Sequence, residues 1–211
     1  MKAVDCSELF RRFEYNNPVP RTELNYCSAY ELLVAVILSA QATDASVNKA
    51  TSTLFKVVDS PEKMIQLGEK GLEKYIRSIG LYRNKARNLI LCSQRLVDTY
   101  NGQVPRSRED LESLAGVGRK TANVVLNTLY GLPFIAVDTH VFRVANRTGL
   151  AKGNTVVEVE RKLEKKVPTR YLTHAHHWLV LHGRYICKAR NPLCEKCFIN
   201  DLCDYYSQSC A

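Results

Sequence analysis

The chain lacks several features that would place it elsewhere. Its longest wholly apolar run is Leu32–Leu38, far short of the roughly 18 residues a membrane span needs. The opening MKAVDCSELFRRFEYNN has no apolar stretch leading to a small-residue cleavage site, so no secretory signal is expected and the protein is placed in the cytoplasm. Nowhere do four or more residues alternate between apolar and polar with turn dipeptides on either side, which argues against a sheet. There is no low-complexity tract and no internal repeat. Acidic residues are the minority: 21 Asp and Glu stand against 30 Lys and Arg, a net charge of +9. An excess of that size suits a polyanionic partner, because basic side chains beside phosphates release condensed counterions. Charge alone fits a basic protein with no nucleic-acid role equally well. The 211 residues, 45% of them hydrophobic, suffice for one large domain or two small lobes sharing a core.

What is present reads as helix throughout. Glu31–Gln41 is apolar nearly all round, as expected of a helix at the centre of a bundle. A second amphipathic stretch, with Leu89, Leu91, Leu96 and Val97, runs from about Asn84 to Tyr100 and stops at Asn101-Gly102, a C-cap signal. Ser107 followed by Glu109 and Asp110 marks a further helix start. The connections are short and contain Gly or Pro: Gly68–Gly71, Gly80, Asn101–Pro105, Gly116–Gly118, Gly131–Pro133, Gly149–Gly153 and Pro168. The expected fold class is all-α.

Residues 111–130 form a hairpin pattern, LESLAGVGRKTANVVLNTLY. Leu111 and Leu114 face inward, Gly116-Val117-Gly118 turns the chain, and a second helix starts at Arg119 with Val124, Val125 and Leu129 on one face. The glycines are expected to allow positive φ and close approach of a ligand to the backbone. Amides at the second helix's positive end make an anion site, with Arg119 beside it. An ordinary helix corner would carry the glycines too. The basic pair Arg119-Lys120 in a basic chain shifts the balance toward a phosphate.

Four of the eight cysteines, Cys187, Cys194, Cys197 and Cys203, are spaced by six, two and five residues. Thiolates so close in sequence can converge on one metal centre, and disulfides are disfavoured in a cytosolic chain. Spacing alone suits a zinc ion and an iron–sulfur cube about equally. Cys6, Cys27, Cys92 and Cys210 match no ligand spacing and are read as free thiols. His174, His176 and His177, beside Trp178 and Leu181, suggest a packed helix, not a metal site.

Taken together, these segments resemble the endonuclease III family of DNA glycosylases. LAGVGRKTANVVLN looks like its helix-hairpin-helix. IAVDTHVFRVANR (135–147) resembles its Gly/Pro-rich loop with aspartate. LLVAVILSAQATD (32–44) and the cysteine pattern match as well. The resemblance spans essentially the whole chain. It implies two helical lobes with a DNA cleft between them: a six-helix lobe over 22–132, including the hairpin at about 108–127, and an iron–sulfur lobe from 1–21 and 133–211. It also implies a 4Fe–4S cluster on the four cysteines, held for structure, with Lys188 and Arg190 of the first loop set against a phosphate backbone.

By spacing alone Lys120 would be one more phosphate contact and Asp138 a helix N-cap. The resemblance makes them a catalytic pair. A neutral amine can attack the sugar C1′ and leave a Schiff base, and a carboxylate can steady the developing cationic sugar. Helix-dipole charge, neighbouring Arg119 and partial burial would favour the neutral lysine. Relatives that only hydrolyse the base lack the lysine and carry a glutamate in the early helix; Val34–Leu38 contains no carboxylate, and no further domain is expected after the last cysteine, so the resemblance implies a lyase. Gln41 and Leu81 fall where the family places side chains that wedge into the duplex, and Ser39, Asp44 and His140 are candidates for the pocket lining. The expected activity is removal of damaged pyrimidines, then cleavage 3′ to the abasic site by β-elimination. The expected partner is double-stranded DNA with damaged bases or abasic sites, bound by a monomer at the nucleoid, with no membrane. A glycosylase without lyase activity and a non-catalytic DNA-binding protein are the alternatives.

Overall fold

The computed structural model describes residues 3–209, which leaves Cys210 outside the described residues. Those residues are helical with no strand, as expected, and divide into two units: Glu23–Tyr130, and Met1–Thr22 together with Gly131–Ala211.

In the first unit, helix α2 (Ala29–Leu38) is the centre; every side chain from Tyr30 to Leu38 is buried, as its all-round apolar sequence demands. Its start is a reciprocal cap, in which Ser28 Oγ accepts from the Glu31 amide and the Glu31 carboxylate accepts from the Cys27 amide at 2.6 Å. Around it pack α3 (Asp44–Leu54), α5 (Tyr82–Tyr100) and α7 (Arg119–Tyr130), while α4 (Pro61–Ile76) pairs with α5 and the short α6 (Arg108–Glu112) with α7. The expected break at Gly68–Gly71 narrows to Gly68 alone, whose φ of 67° interrupts α4. Gly71 lies within the resumed helix, because it keeps the helical backbone that Gly68 leaves. On α5 the buried positions are Lys85, Ala86, Leu89, Cys92, Ser93 and Leu96, which recur at three- and four-residue spacing. Leu91, two positions from Leu89, is rotated off that stripe and is 50% exposed. The C-cap is as read: Asn101 and Gly102 both have positive φ, and the Gly102 amide donates to the Leu96 carbonyl at 2.9 Å.

The second unit joins α1 (Ala3–Asn16) to α8 (Thr139–Thr148), α9 (Val156–Lys166), α10 (Leu172–Tyr185) and α11 (Asp204–Ser209). Its core is mostly aliphatic, with one aromatic cluster where α1 meets α10. Phe10, Phe13, Tyr171 and Trp178 lie ring against ring, and the Trp178 indole N–H donates to the Asn17 carbonyl at 2.8 Å. These contacts fasten the N-terminal helix to a segment more than 150 residues later. The histidines of α10 pack, as read. His176 Nδ1 lies 2.9 Å from the Ala136 carbonyl, and His177 is buried with neither ring nitrogen hydrogen-bonded.

Candidate active site and nucleic-acid interface

The hairpin forms as its sequence suggests. Ser107 caps α6 by accepting from the Asp110 amide, Leu111 and Leu114 are buried, and α7 begins at Arg119. The face of α7 differs from the expected one. Ala122, Val125 and Leu126 are buried, whereas Val124 and Leu129 are half-buried. Val124 lies about 200° around the helix from Ala122, on the side away from the arc that Ala122, Val125 and Leu126 bury. The two glycines also differ. Gly116 has φ 80° and sits tightly, since a Cβ there would meet Asn88 Cβ at 3.1 Å. Gly118 has no positive φ, and nothing lies within 4 Å of where its Cβ would be. Its glycine leaves open space at the surface, which permits a bulky group to reach the backbone. Val117 is buried and its amide donates to the Leu114 carbonyl, so its contribution is to close the turn. Arg119 and Lys120 are exposed; the partial burial expected for Lys120 is absent, because α7 meets the core only from Ala122 on.

Asp138 is the N-cap of α8. Its Oδ1 accepts from the amides of His140 and Val141, each at 2.8 Å, which holds the half-buried carboxylate in one orientation. His140, in the first turn, has Nδ1 3.2 Å from Arg143 Nη2. Gln41 and Leu81 are both exposed, Leu81 at 59%. Ser39 is half-buried, and its hydroxyl donates back to the Val36 carbonyl at 2.8 Å. Asp44 opens α3, and the cap is Thr43, whose hydroxyl accepts from the Ser46 amide. The cap falls one residue earlier than Asp44 because Thr43 is the residue with extended backbone.

The four loop cysteines line one recess with Thr148, His182, Ile186 and Ile199. Burial pushes the Cys197 thiol up to about 11, and raises those of Cys194 and Cys203, with neighbouring cysteines adding to each. Such thiols ionise together only around a cationic centre. An all-sulfur donor set in an apolar recess suits an iron–sulfur cluster. Lys188 and Arg190 are exposed on the first loop, as expected.

The sequence reading missed the residues that brace this loop. Arg143 donates to the carbonyls of Cys187 and Gly183 at 2.8 and 2.7 Å. Arg147, one turn on, donates to the carbonyls of Lys188 and Ala189 and lies 3.6 Å from Cys187 Sγ. His182 Nε2 lies 3.5 Å from Cys197 Sγ, with Phe13 and Phe198 edge-on to its ring. Arginines four apart just after Asp138 were the available signal.

A helix-hairpin-helix, an N-capping aspartate and a four-cysteine recess in an all-helical chain define a class of DNA repair proteins. Residues 34–169 match the HhH-GPD superfamily of base excision DNA repair proteins, and residues 187–203 match the iron–sulfur binding domain of endonuclease III. The chain is 59% identical to endonuclease III of Rickettsia conorii, covering 98% of each chain, and 57% identical to that of Escherichia coli, covering 94% of each. Its structure superposes with a TM-score of 0.93, at 43% identity and full coverage of both chains, on a trapped endonuclease III–DNA covalent intermediate, an estranged-adenine complex. The chain belongs to the endonuclease III family of the HhH-GPD superfamily. It is a bifunctional DNA glycosylase and abasic-site lyase of base excision repair, with a 4Fe–4S cluster as cofactor. No helix among the described residues is long and apolar enough to cross a membrane.

Proposed function

We propose that Lys120 is the nucleophile of this enzyme, that Asp138 is its carboxylate, and that the substrates are damaged pyrimidines in duplex DNA. The observation that carries the reading is the place of Lys120: exposed on the first turn of α7, directly after the open Gly118. The lysine amine attacks C1′ as the bond to the base breaks, and the base leaves with a proton. Ring opening of the sugar then gives a Schiff base, loss of a C2′ proton expels the 3′ phosphate, and water releases the lysine. Asp138 stabilises positive charge on the sugar and helps take the proton from Lys120.

Gly116, Val117, Gly118 and Arg119 form the phosphate-gripping turn, with Gly118 and Arg119 meeting the anion and Val117 holding the turn shut. Lys188 and Arg190 take further phosphates beside the cluster, which is held for structure. Gln41 and Leu81 wedge into the duplex where the damaged base leaves, and Ser39, Asp44 and His140 line the base pocket. Residues 22–132 act as the lobe with the nucleophile, and residues 1–21 with 133–211 as the lobe with the carboxylate and cluster. The pyrimidine preference draws support from the related complex, which holds an estranged adenine, since adenine pairs with a thymine-type base. The enzyme works as a monomer at the nucleoid. Borohydride on abasic-site duplex tests the nucleophile: wild-type protein is trapped, and Lys120→Ala protein trapped equally well refutes the assignment.

A further inference from the structure

Lys85 is a lysine in an unusual setting. Only 5% of it is exposed, and its ammonium donates to the carbonyls of Leu38 and Ala40 at 2.9 and 2.6 Å. Leu38 ends α2, and Ala40 directly precedes Gln41, so the charge sits on carbonyls at the negative end of that helix. Lys85 also belongs to the first turn of α5, where its backbone amide donates to the Leu81 carbonyl at 3.1 Å. One residue is therefore bonded to both turns. The turns adjoin directly, since a Cβ on Gly80 would stand 3.9 Å from the Gln41 carbonyl.

Both turns are bent in the same way. Gln41 has φ 55° and Leu81 φ 58°, the left-handed region that a side chain other than glycine enters only where its surroundings enforce it. Burial lowers the pKa of Lys85, the cost of withdrawing an ammonium from water. A methionine or leucine would fill the same space without that cost. What the ammonium adds is a pair of directed bonds to backbone carbonyls.

We propose that Lys85 is a positioning residue for base extrusion: its two bonds hold the Gln41 turn against the Leu81 turn, so that both side chains enter the duplex in register. The proposal rests on the reading of Gln41 and Leu81 as wedges, and the experiment separates the two. A duplex carries one oxidised pyrimidine opposite 2-aminopurine, whose fluorescence rises when it unstacks. Single-turnover excision and the fluorescence rise are measured for Lys85→Met, for Lys85→Gln, for Gln41→Ala/Leu81→Ala, and for Lys85→Met in that double background. Lys85→Met is expected to slow both signals about tenfold or more, since a small displacement of positioned groups costs on that order. Lys85→Gln, which keeps a donor, is expected to fall between. In the Gln41→Ala/Leu81→Ala background, Lys85→Met is expected to change neither signal by more than about twofold, as residues acting through one another are non-additive. An equal loss in both backgrounds makes Lys85 merely structural and overturns the proposal. So does wild-type behaviour of Lys85→Met, or failure of both Lys85 variants to give a cooperative melt. If Gln41→Ala/Leu81→Ala itself behaves as wild type, the wedge reading fails first, and the proposal with it.

Discussion

Gly183 on α10 lies so close to His140 on α8 that a Cβ at position 183 would stand 2.8 Å from His140 Cβ and 3.2 Å from its backbone. The missing side chain lets the two helices touch at the turn that begins with Asp138. A methyl there has to push α8 away, because backbone atoms in contact cannot swing aside. Gly183→Ala is expected to cost about 1–3 kcal/mol of stability, the usual scale of overpacking. Excision should fall further than the melting temperature suggests, since the first turn of α8 carries the proposed carboxylate. Thermal melts alongside single-turnover rates check both.

Asp138 caps α8 and is the proposed carboxylate, and substitution can separate the two. Asparagine keeps an oxygen that can accept from the amides of His140 and Val141, and loses the charge. Asp138→Asn should melt close to wild type yet excise about a hundredfold more slowly, the order expected when one electrostatic contributor is removed. Asp138→Ala should lose about 1 kcal/mol of capping in addition. Equal rates for Asp138→Asn and wild type would leave Asp138 as a cap only.

Arg147 joins α8 to the cysteine loop through three bonds, to Lys188, Ala189 and Cys187. Arg147→Ala is expected to yield protein with less iron and less visible absorbance per chain than wild type, measured side by side. Lys188→Ala should leave the iron content unchanged and reduce the salt slope of DNA affinity by about one.

His177 links stability to acid. Burial lowers its pKa to about 3 from an ordinary 6.5, with His176 and His174 adding to the fall. The native state therefore holds it neutral while the unfolded chain takes up a proton below 6.5. Its contribution is complete above that pH, shrinks as pH falls, and is gone near 3, over a range worth a few kcal/mol. Denaturant melts from pH 7 to 4 should show wild type weakening more steeply than His177→Phe. Parallel curves would contradict this account.

The sequence revealed what depends on spacing and concealed what depends on neighbours. The all-helical class, the central helix (read as Glu31–Gln41 and observed as Ala29–Leu38), the Asn101-Gly102 stop, the hairpin and the cysteine recess all rest on local patterns, which one chain displays by itself. The inward face of α7 was misjudged at Val124 because three adjacent apolar residues fit two helix phases. The exposure of Lys120 and Leu81 depends on where the core ends, and no local pattern records that. Arg143, Arg147, His182 and Lys85 act through partners that are distant in sequence, 47 residues away for Lys85 and Leu38. Lys85 read as one of 30 basic residues until its carbonyl partners were visible.

The Lys120 amine is proposed as the group that bonds to the sugar. Peptide mapping of borohydride-trapped wild-type protein tests it most directly, because it finds the bonded atom without relying on a variant. One adduct is expected, on the proteolytic peptide containing Lys120. An adduct on another lysine or on the terminal amine, with Lys120 unmodified, would contradict it.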